Sequence, residues 1–410
     1  MDNLLLKSAA MCACLMLWAI PGRAQVGTWE KMVLPAGETV WISATHTEGW
    51  DQEEARLAAD AQGRLYFSNR GTLLIGTVAA THWEKYVHPN VTGPISRSFM
   101  MAAGGQGQVT WGAMHSEDGG KTWDLLPWIP LDGSLGSNRH GAYFMGAKND
   151  DIFRSDPPFV DWTPVHVGAE SFGYLYQFAS CDAGNMAALG LEGVYLSIDT
   201  GGSWQSMGNR FESNYNGYNL LSIALEPRQG GTLWLSPKPG SELGNSLTRV
   251  NMLTRKAETV AGNMPDSTVN VIRVGSDGAI WLGTWGQGVW VSRNEGKTFT
   301  AQNTGLNSVY VKALQETSDG RMYALTPTGL FRFKGEGTGL RPLLISQGTR
   351  PGPLPSLYLS GIRRSLRQTG AAGSRFSVLA NGRSVLPALP SRATALPQGE
   401  PEASAGGKAQ

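Results

Sequence analysis

Cysteine is scarce in this chain. Its 410 residues include 3, and two of those, Cys12 and Cys14, lie in an apolar N-terminal stretch. Cys181 stands alone in the remainder, which excludes a disulfide framework and a cysteine-based metal cluster. Charge is sparse too: 16% of residues are charged and the formal net charge is +1. A balance so near zero supplies no broad field to attract nucleic acid. The 6 histidines are scattered without metal-ligand spacing, and there is no Ser/His/Asp elbow and no phosphate loop. No cofactor or metal is therefore expected. Beyond the N-terminus no run is long and apolar enough to cross a bilayer. Glycine, by contrast, is abundant at 53 residues, and tryptophan numbers 14. Frequent glycine with dispersed aromatics and few charges suggests many short strands joined by tight turns.

Residues 1–24 read as a secretory signal. Lys7 closes a short n-region, Ser8 to Ile20 is apolar, and Pro21-Gly22-Arg23-Ala24 precedes a cut before Gln25. The apolar run falls short of the ~20 residues that a spanning helix needs. The expected location is secreted or periplasmic, with no stable membrane span after cleavage. At the other end, residues 337–410 are rich in Gly, Pro, Ala, Ser and Arg and read as a low-complexity tail. Within it, RFSVLANGRSVLP near 375–387 carries Asn381-Gly382 between apolar runs, the signal of a short hairpin.

The middle of the chain repeats. SEDGGKTW (Ser116–Trp123) returns as SIDTGGSW (Ser197–Trp204) and as SRNEGKTF (Ser292–Phe299). Ser155, with Trp162 seven places on, fills the gap between the first two copies. The period is about forty residues, the scale of a four-stranded propeller blade. The clearest unit starts at Val269 and reads strand (Val269 to Val274), turn (Ser276-Asp277-Gly278), strand (Ala279 to Gly283), loop, and strand (Gly288 to Ser292). The next unit repeats it, Asp319-Gly320 matching Asp277-Gly278 and Gly329-Leu330-Phe331 matching Gly288-Val289-Trp290. Looser copies begin near Gly63, Gly141 and Gly231. The expected fold is all-β: a seven-bladed propeller of four-stranded antiparallel blades over residues 25–336. The seventh unit lacks an outer strand, and Thr28-Trp29-Glu30-Lys31 resembles His82-Trp83-Glu84-Lys85. The N-terminal segment is thus expected to complete the last blade beside Leu330 to Phe333.

The motif Ser-x-Asp/Asn-x-Gly-x-Ser/Thr-aromatic resembles the Asp-box, or bacterial neuraminidase repeat, of sialidases and of many non-catalytic propellers. Its positions here are Ser116, Asp118, Gly120, Thr122 and Trp123; Ser197, Asp199, Gly201, Ser203 and Trp204; and Ser292, Asn294, Gly296, Thr298 and Phe299. The last two units also resemble the propeller repeats of two-component regulator sensors. The likeness implies a structural turn between the third and fourth strands: the acid accepts N–H bonds within its own turn, and the glycine takes positive φ. It places these turns with the Asp-Gly turns on one face of the ring. Ligands are then expected on the opposite face.

Candidate ligand-binding residues there are Trp128, Arg139, His140, Glu170, Tyr174, Arg210, Glu212, Tyr215 and Tyr218 in segments read as blade links, with Trp285 on a loop within a blade. Aromatics mixed with Arg, Asn and Glu on one rim suit a glycan or a protein. The resemblance also admits an enzyme. A sialidase-like glycoside hydrolase or lyase would need paired carboxylates or a tyrosine with its base, and an arginine triad for the substrate carboxylate. The Arg-Ile-Pro segment that sialidases carry near their start is absent, and Arg139, Arg210 and Arg273 are the arginines open to the triad role. The reading is therefore a monomeric, non-catalytic propeller that binds a protein or glycan; the alternative is the glycosidase.

Overall fold

A computed structural model describes residues 27–40, 55–69, 71–77, 82–87, 101–105, 107–126, 134–138, 140–146, 151–167, 175–191, 193–207, 220–238, 240–241, 246–260 and 262–335. The signal and the C-terminal hairpin expected from the sequence lie outside them. Among the described residues there are no helices, and 28 strands form seven four-stranded sheets.

Strand β1 is Thr28–Lys31. The first blade holds β2 (Arg56–Ala59), β3 (Leu65–Asn69), β4 (Thr72–Gly76) and β5 (Trp83–Val87). The second holds β6 (Met101–Ala103), β7 (Val109–Trp111), β8 (Met114–Ser116) and β9 (Asp124–Leu125). The third holds β10 (Leu135–Ser137), β11 (Tyr143–Gly146), β12 (Ile152–Ser155) and β13 (Thr163–His166). The fourth holds β14 (Leu175–Ser180), β15 (Met186–Gly190), β16 (Val194–Ser197) and β17 (Gln205–Ser206). The fifth holds β18 (Leu220–Leu225), β19 (Thr232–Pro237), β20 (Leu247–Asn251) and β21 (Ala257–Val260). The sixth holds β22 (Val269–Val274), β23 (Ile280–Thr284), β24 (Val289–Ser292) and β25 (Thr300–Ala301). The seventh holds β26 (Ala313–Glu316), β27 (Met322–Thr326) and β28 (Gly329–Lys334). Every pairing is antiparallel between sequence neighbours except at the closure, where β1 adds to β28.

The burial pattern follows from this stacking. Second strands such as β15 (MAALG), β23 (IWLGT) and β27 (MYALT) are buried along their whole length. Neighbouring blades cover both of their faces, so these strands read as continuous apolar runs. The outer strand β5 (WEKYV) has no buried position, because solvent takes the place of a further strand.

The apolar core lies between blades. One cluster joins the sixth and seventh blades through Trp29, Val271, Trp281, Val311 and Phe333. Others join the fourth to the fifth, the seventh to the first, the fifth to the sixth, the third to the fourth and the first to the second. A smaller one of Leu126, Tyr143 and Phe159 sits where the second meets the third. Burying such surface contributes about 25 cal/mol per Å² of apolar area.

The inner strands face a central channel, where their edges would expose unpaired N–H and C=O groups. Side chains from the adjacent blade satisfy many of these. Ser137 Oγ donates to Ala103 O at 2.7 Å. Gln177 accepts from Ile223 N at 3.0 Å and donates to Ile223 O at 2.9 Å. Ile272 N donates to Ser222 Oγ at 3.3 Å. Asn270 Nδ2 donates to Val311 O and Lys312 O, both at 3.1 Å. Arg273 Nε donates to Leu314 O at 2.9 Å.

Closure occurs at Trp29, as the sequence predicts. Trp29 pairs with Phe333 and Glu30 with Arg332. The Trp29 indole is 3% exposed, its Nε1 donates to Gln302 O at 2.6 Å, and its ring meets Trp281 edge-on at 6.2 Å. The outer strand of the last blade thus comes from the opposite end of the chain.

Candidate functional site

The repeated turn defines one face of the ring. In each copy it joins the third strand to the fourth: β8 to β9, β16 to β17 and β24 to β25. Asp118 Oδ1 accepts from Thr122 N at 2.9 Å, and its Oδ2 from Thr122 Oγ1 at 2.8 Å. Ser116 Oγ donates to Asp118 Oδ1 at 2.8 Å and accepts from Gly120 N at 2.8 Å. The second copy repeats the set through Ser197, Asp199, Gly201 and Ser203. In the third, Asn294 Oδ1 keeps the acceptor bonds from Ser292 and Thr298 N. Its amide nitrogen then donates to Thr298 Oγ1 at 2.9 Å, the reverse of the bond made by the carboxylates.

The motif's glycine is required twice over. Gly120 has φ +93, and a Cβ there would meet Ile75 Cδ1 of the preceding blade at 2.2 Å. Gly201, at φ +84, would meet the Phe144 ring at 2.3 Å. The aromatic that ends each motif packs at the interblade seam: Trp123 stacks on Tyr86 at 5.2 Å, and Trp204 lies 6.0 Å from both Phe144 and Phe178. Partial burial pushes the Asp118 carboxyl up, but the Thr122 N–H and hydroxyl, then Ser116 and the Lys121 N–H, outweigh it and hold the group at about 2. Asp199 is lowered by its Ser203 and Ser197 bonds against the same opposing burial. Both acids are committed to their turns as carboxylates.

Turns after the first strands share this face. Arg64, after β2, donates to Asp118 O at 3.4 Å, and Gly119 N donates to Gly107 O, after β6, at 2.9 Å. Arg293 in the third motif pairs with Asp277, after β22, at 2.8 Å. His140 belongs here as well. The sequence reading puts it in a blade link, but it lies in the turn between β10 and β11, where its backbone N donates to Asn138 Oδ1 at 3.0 Å. The cause is the shortness of β10. Leu135–Ser137 holds a glycine and gives no strand signal, and Gly136 is there because a Cβ would strike Phe178 Cβ at 2.5 Å.

On the opposite face the β23–β24 turn meets the links on either side. Trp285 N donates to Thr268 O at 2.9 Å and Ser267 Oγ to Trp285 O at 3.0 Å. Gly286 N donates to Val309 O at 3.0 Å. Trp285 also pairs with Tyr310 in an isolated bridge, and their rings lie 5.2 Å apart. Trp285 is half-buried, while Val309 and Tyr310 are 45% and 44% exposed. Beside them Pro237, Met264, Pro265 and Asp266 line a hollow of ≈ 260 Å³. Trp285 is thus the one expected ligand residue that the described residues place on this face. Trp128, Arg139, Glu170, Tyr174, Arg210, Glu212, Tyr215 and Tyr218 lie outside them.

A second hollow, ≈ 330 Å³, occupies the channel at the repeated-turn end. The ends of the inner strands and the turns that follow them form its wall, with Asp60, Asp182, Arg228, Arg273 and Glu316 as its charged residues. Asp60 is engaged by Arg64 Nε at 2.7 Å and by the Tyr66 hydroxyl at 2.9 Å. Glu316 accepts from Ser276 N at 2.8 Å and Ser276 Oγ at 2.9 Å. Among the described residues, no three of His, Cys, Asp and Glu are grouped so as to hold a metal ion.

Fold and faces together define a seven-bladed β-propeller. No family model matches the chain, and no curated protein matches it. Solved structures do. YCF48 from Cyanidioschyzon merolae superposes with TM-score 0.52 at 14% identity, over 75% of this chain and 98% of that one. The extracellular domain of the one-component system BT4673 from B. thetaiotaomicron gives 0.53 at 10% identity, over 74% of this chain and 39% of that one. Streptogramin B lyase gives 0.53 at 12% identity, over 75% and 98%. At such identities the likeness is one of fold.

Proposed function

We propose that this chain is a secreted or periplasmic, non-catalytic propeller of the Asp-box type that binds a protein or glycan on the face opposite the repeated turns. The observation that carries the reading is the Trp285–Tyr310 ring pair, standing beside the Pro237–Met264 hollow. Two adjoining aromatics with open edges present a large apolar area and little side-chain entropy, which suits a sugar face or a peptide side chain. The acids of the repeated turns support placing ligand contacts on the other face: Asp118 and Asp199 are held as carboxylates by donors of their own turns.

The test is a glycan-array and protein pull-down screen of the full chain, repeated with Trp285→Ala and Tyr310→Ala. A ligand captured by the parent chain is expected to lose at least tenfold in affinity in either variant, about 1.4 kcal/mol. Equal capture by all three proteins moves the site elsewhere.

A further inference from the structure

Numbered back from the turn that follows each inner strand, one layer of the channel wall consists of Ala58, Ala102, Gly136, Ala179, Ala224, Arg273 and Gln315. Five of these seven residues are alanine or glycine, so the wall is thin there, and Arg273 is the layer's one charged member. Its seam role does not need a charge. Ser137, Gln177 and Ser222 bridge other seams with neutral groups, and Asn270 bridges the same sixth-to-seventh seam with a neutral amide. Arg273 spends only Nε on Leu314 O, and no carboxylate pairs with its guanidinium among the described residues. The acids of the same hollow are placed otherwise: Asp60 is tied to Arg64 and Tyr66, Glu316 to Ser276, and Asp182 lies on the fourth blade's turn.

We propose that the channel is an oxyanion site, in which the guanidinium of Arg273 binds a phosphate, sulfate or carboxylate held in the ≈ 330 Å³ hollow beside Arg228. A guanidinium stays protonated in proteins and forks onto two oxygens of such a group. A charge taken out of water without a partner is costly, and an anion in the hollow repays that cost. Burial alone lowers the Arg273 pKa. The residue is nonetheless only half-buried by surface, as befits a group that a ligand reaches through the channel. This site is separate from the Trp285–Tyr310 surface and stands whether or not that surface binds a partner.

The experiment titrates the full chain at matched ionic strength with inorganic phosphate, with sulfate and with N-acetyl-aspartate amide, following heat of binding and Tm. The inorganic arms report a free ion; the aspartate arm reports the acidic side chain of a larger ligand. Saturable binding in the millimolar range or tighter, about −4 kcal/mol or better, is expected in at least one arm. Affinity falls at least tenfold in Arg273→Gln and less in Arg273→Lys, which keeps the charge without the fork. Arg293→Gln, on the outer rim of the turn face, binds as the parent does. Stability supplies a second reading. In anion-poor buffer Arg273→Gln is expected to melt no lower than the parent, while the saturating ligand raises Tm in the parent alone. Absence of saturable binding in the parent overturns the proposal even if neither variant folds, and so does equal affinity in Arg273→Gln.

Discussion

At the residue scale the repeated turn is a small self-contained hydrogen-bonding device. The carboxylate of Asp118 is held at about 2, below the ~3.9 of an unfolded aspartate. A depressed folded pKa gives stability that is fully present above the unfolded value and is lost as pH falls from about 4 toward 2. Asn294 shows that an amide can fill the same position by reversing one bond. The double variant Asp118→Asn/Asp199→Asn is therefore expected to fold at pH 7 and to lose less stability between pH 5 and pH 3 than the parent does. Urea denaturation at both pH values checks this, and parallel acid losses would count against the account. The glycine is less forgiving. Gly120→Ala combines positive φ with a Cβ 2.2 Å from Ile75, and a cost of about 2 kcal/mol or more is expected from strain plus overpacking. A midpoint unchanged in urea would show that Ile75 moves aside freely.

At the element scale the decisive strand is β1. It is short and isolated in sequence, yet its Trp29 is packed between Trp281 and Phe333. Its backbone is held on both sides, by the β28 ladder and by the bond from Trp29 N to Thr304 O at 2.7 Å. Trp29→Ala is expected to cost about 3–5 kcal/mol, as truncation of buried Trp does. The seventh blade should also open before the others. Hydrogen exchange measured across β28 is the readout, and protection of β28 equal to that of β15 would argue against a clasp. Glu30 adds a surface contribution: hydrogen bonds from Lys334 and then Arg332 lower its pKa. Such exposed pairs fix register more than they stabilise.

At the scale of the whole molecule the proposed function gives the two faces different tasks. The repeated-turn face is dense with internal hydrogen bonds and ion pairs. The other face presents Val309, Tyr310 and Trp285 around an adjoining hollow, which is where a partner is expected to dock. Swapping the two faces' roles would require the turn acids to be available for ligands, and they are already spent. A truncated chain ending at residue 335 should retain binding if the ring alone carries the site. Its affinity relative to the full chain, measured for the ligand found in the screen, checks this.

Much of the ring is legible in the sequence, because periodic features report locally determined structure. The motif spacing follows from blade length, and the motif residues follow from turn geometry, so Ser116, Ser197 and Ser292 mark third-strand ends. Trp29 could be placed because its neighbours resemble those of Trp83. His140 was misplaced, since a three-residue strand containing Gly136 has no pattern of its own and exists through packing against Phe178. The layer of small residues around Arg273 was invisible for a related reason. Each member is an ordinary alanine or glycine in its own strand, separated from the next by a whole blade. Strand order, turn chemistry and the closure partner were therefore determined by the sequence alone, since each rests on contacts within a blade or between like segments. Which residues share a channel layer was decided only when the ring closed, because radial packing brings together residues that no local interaction relates.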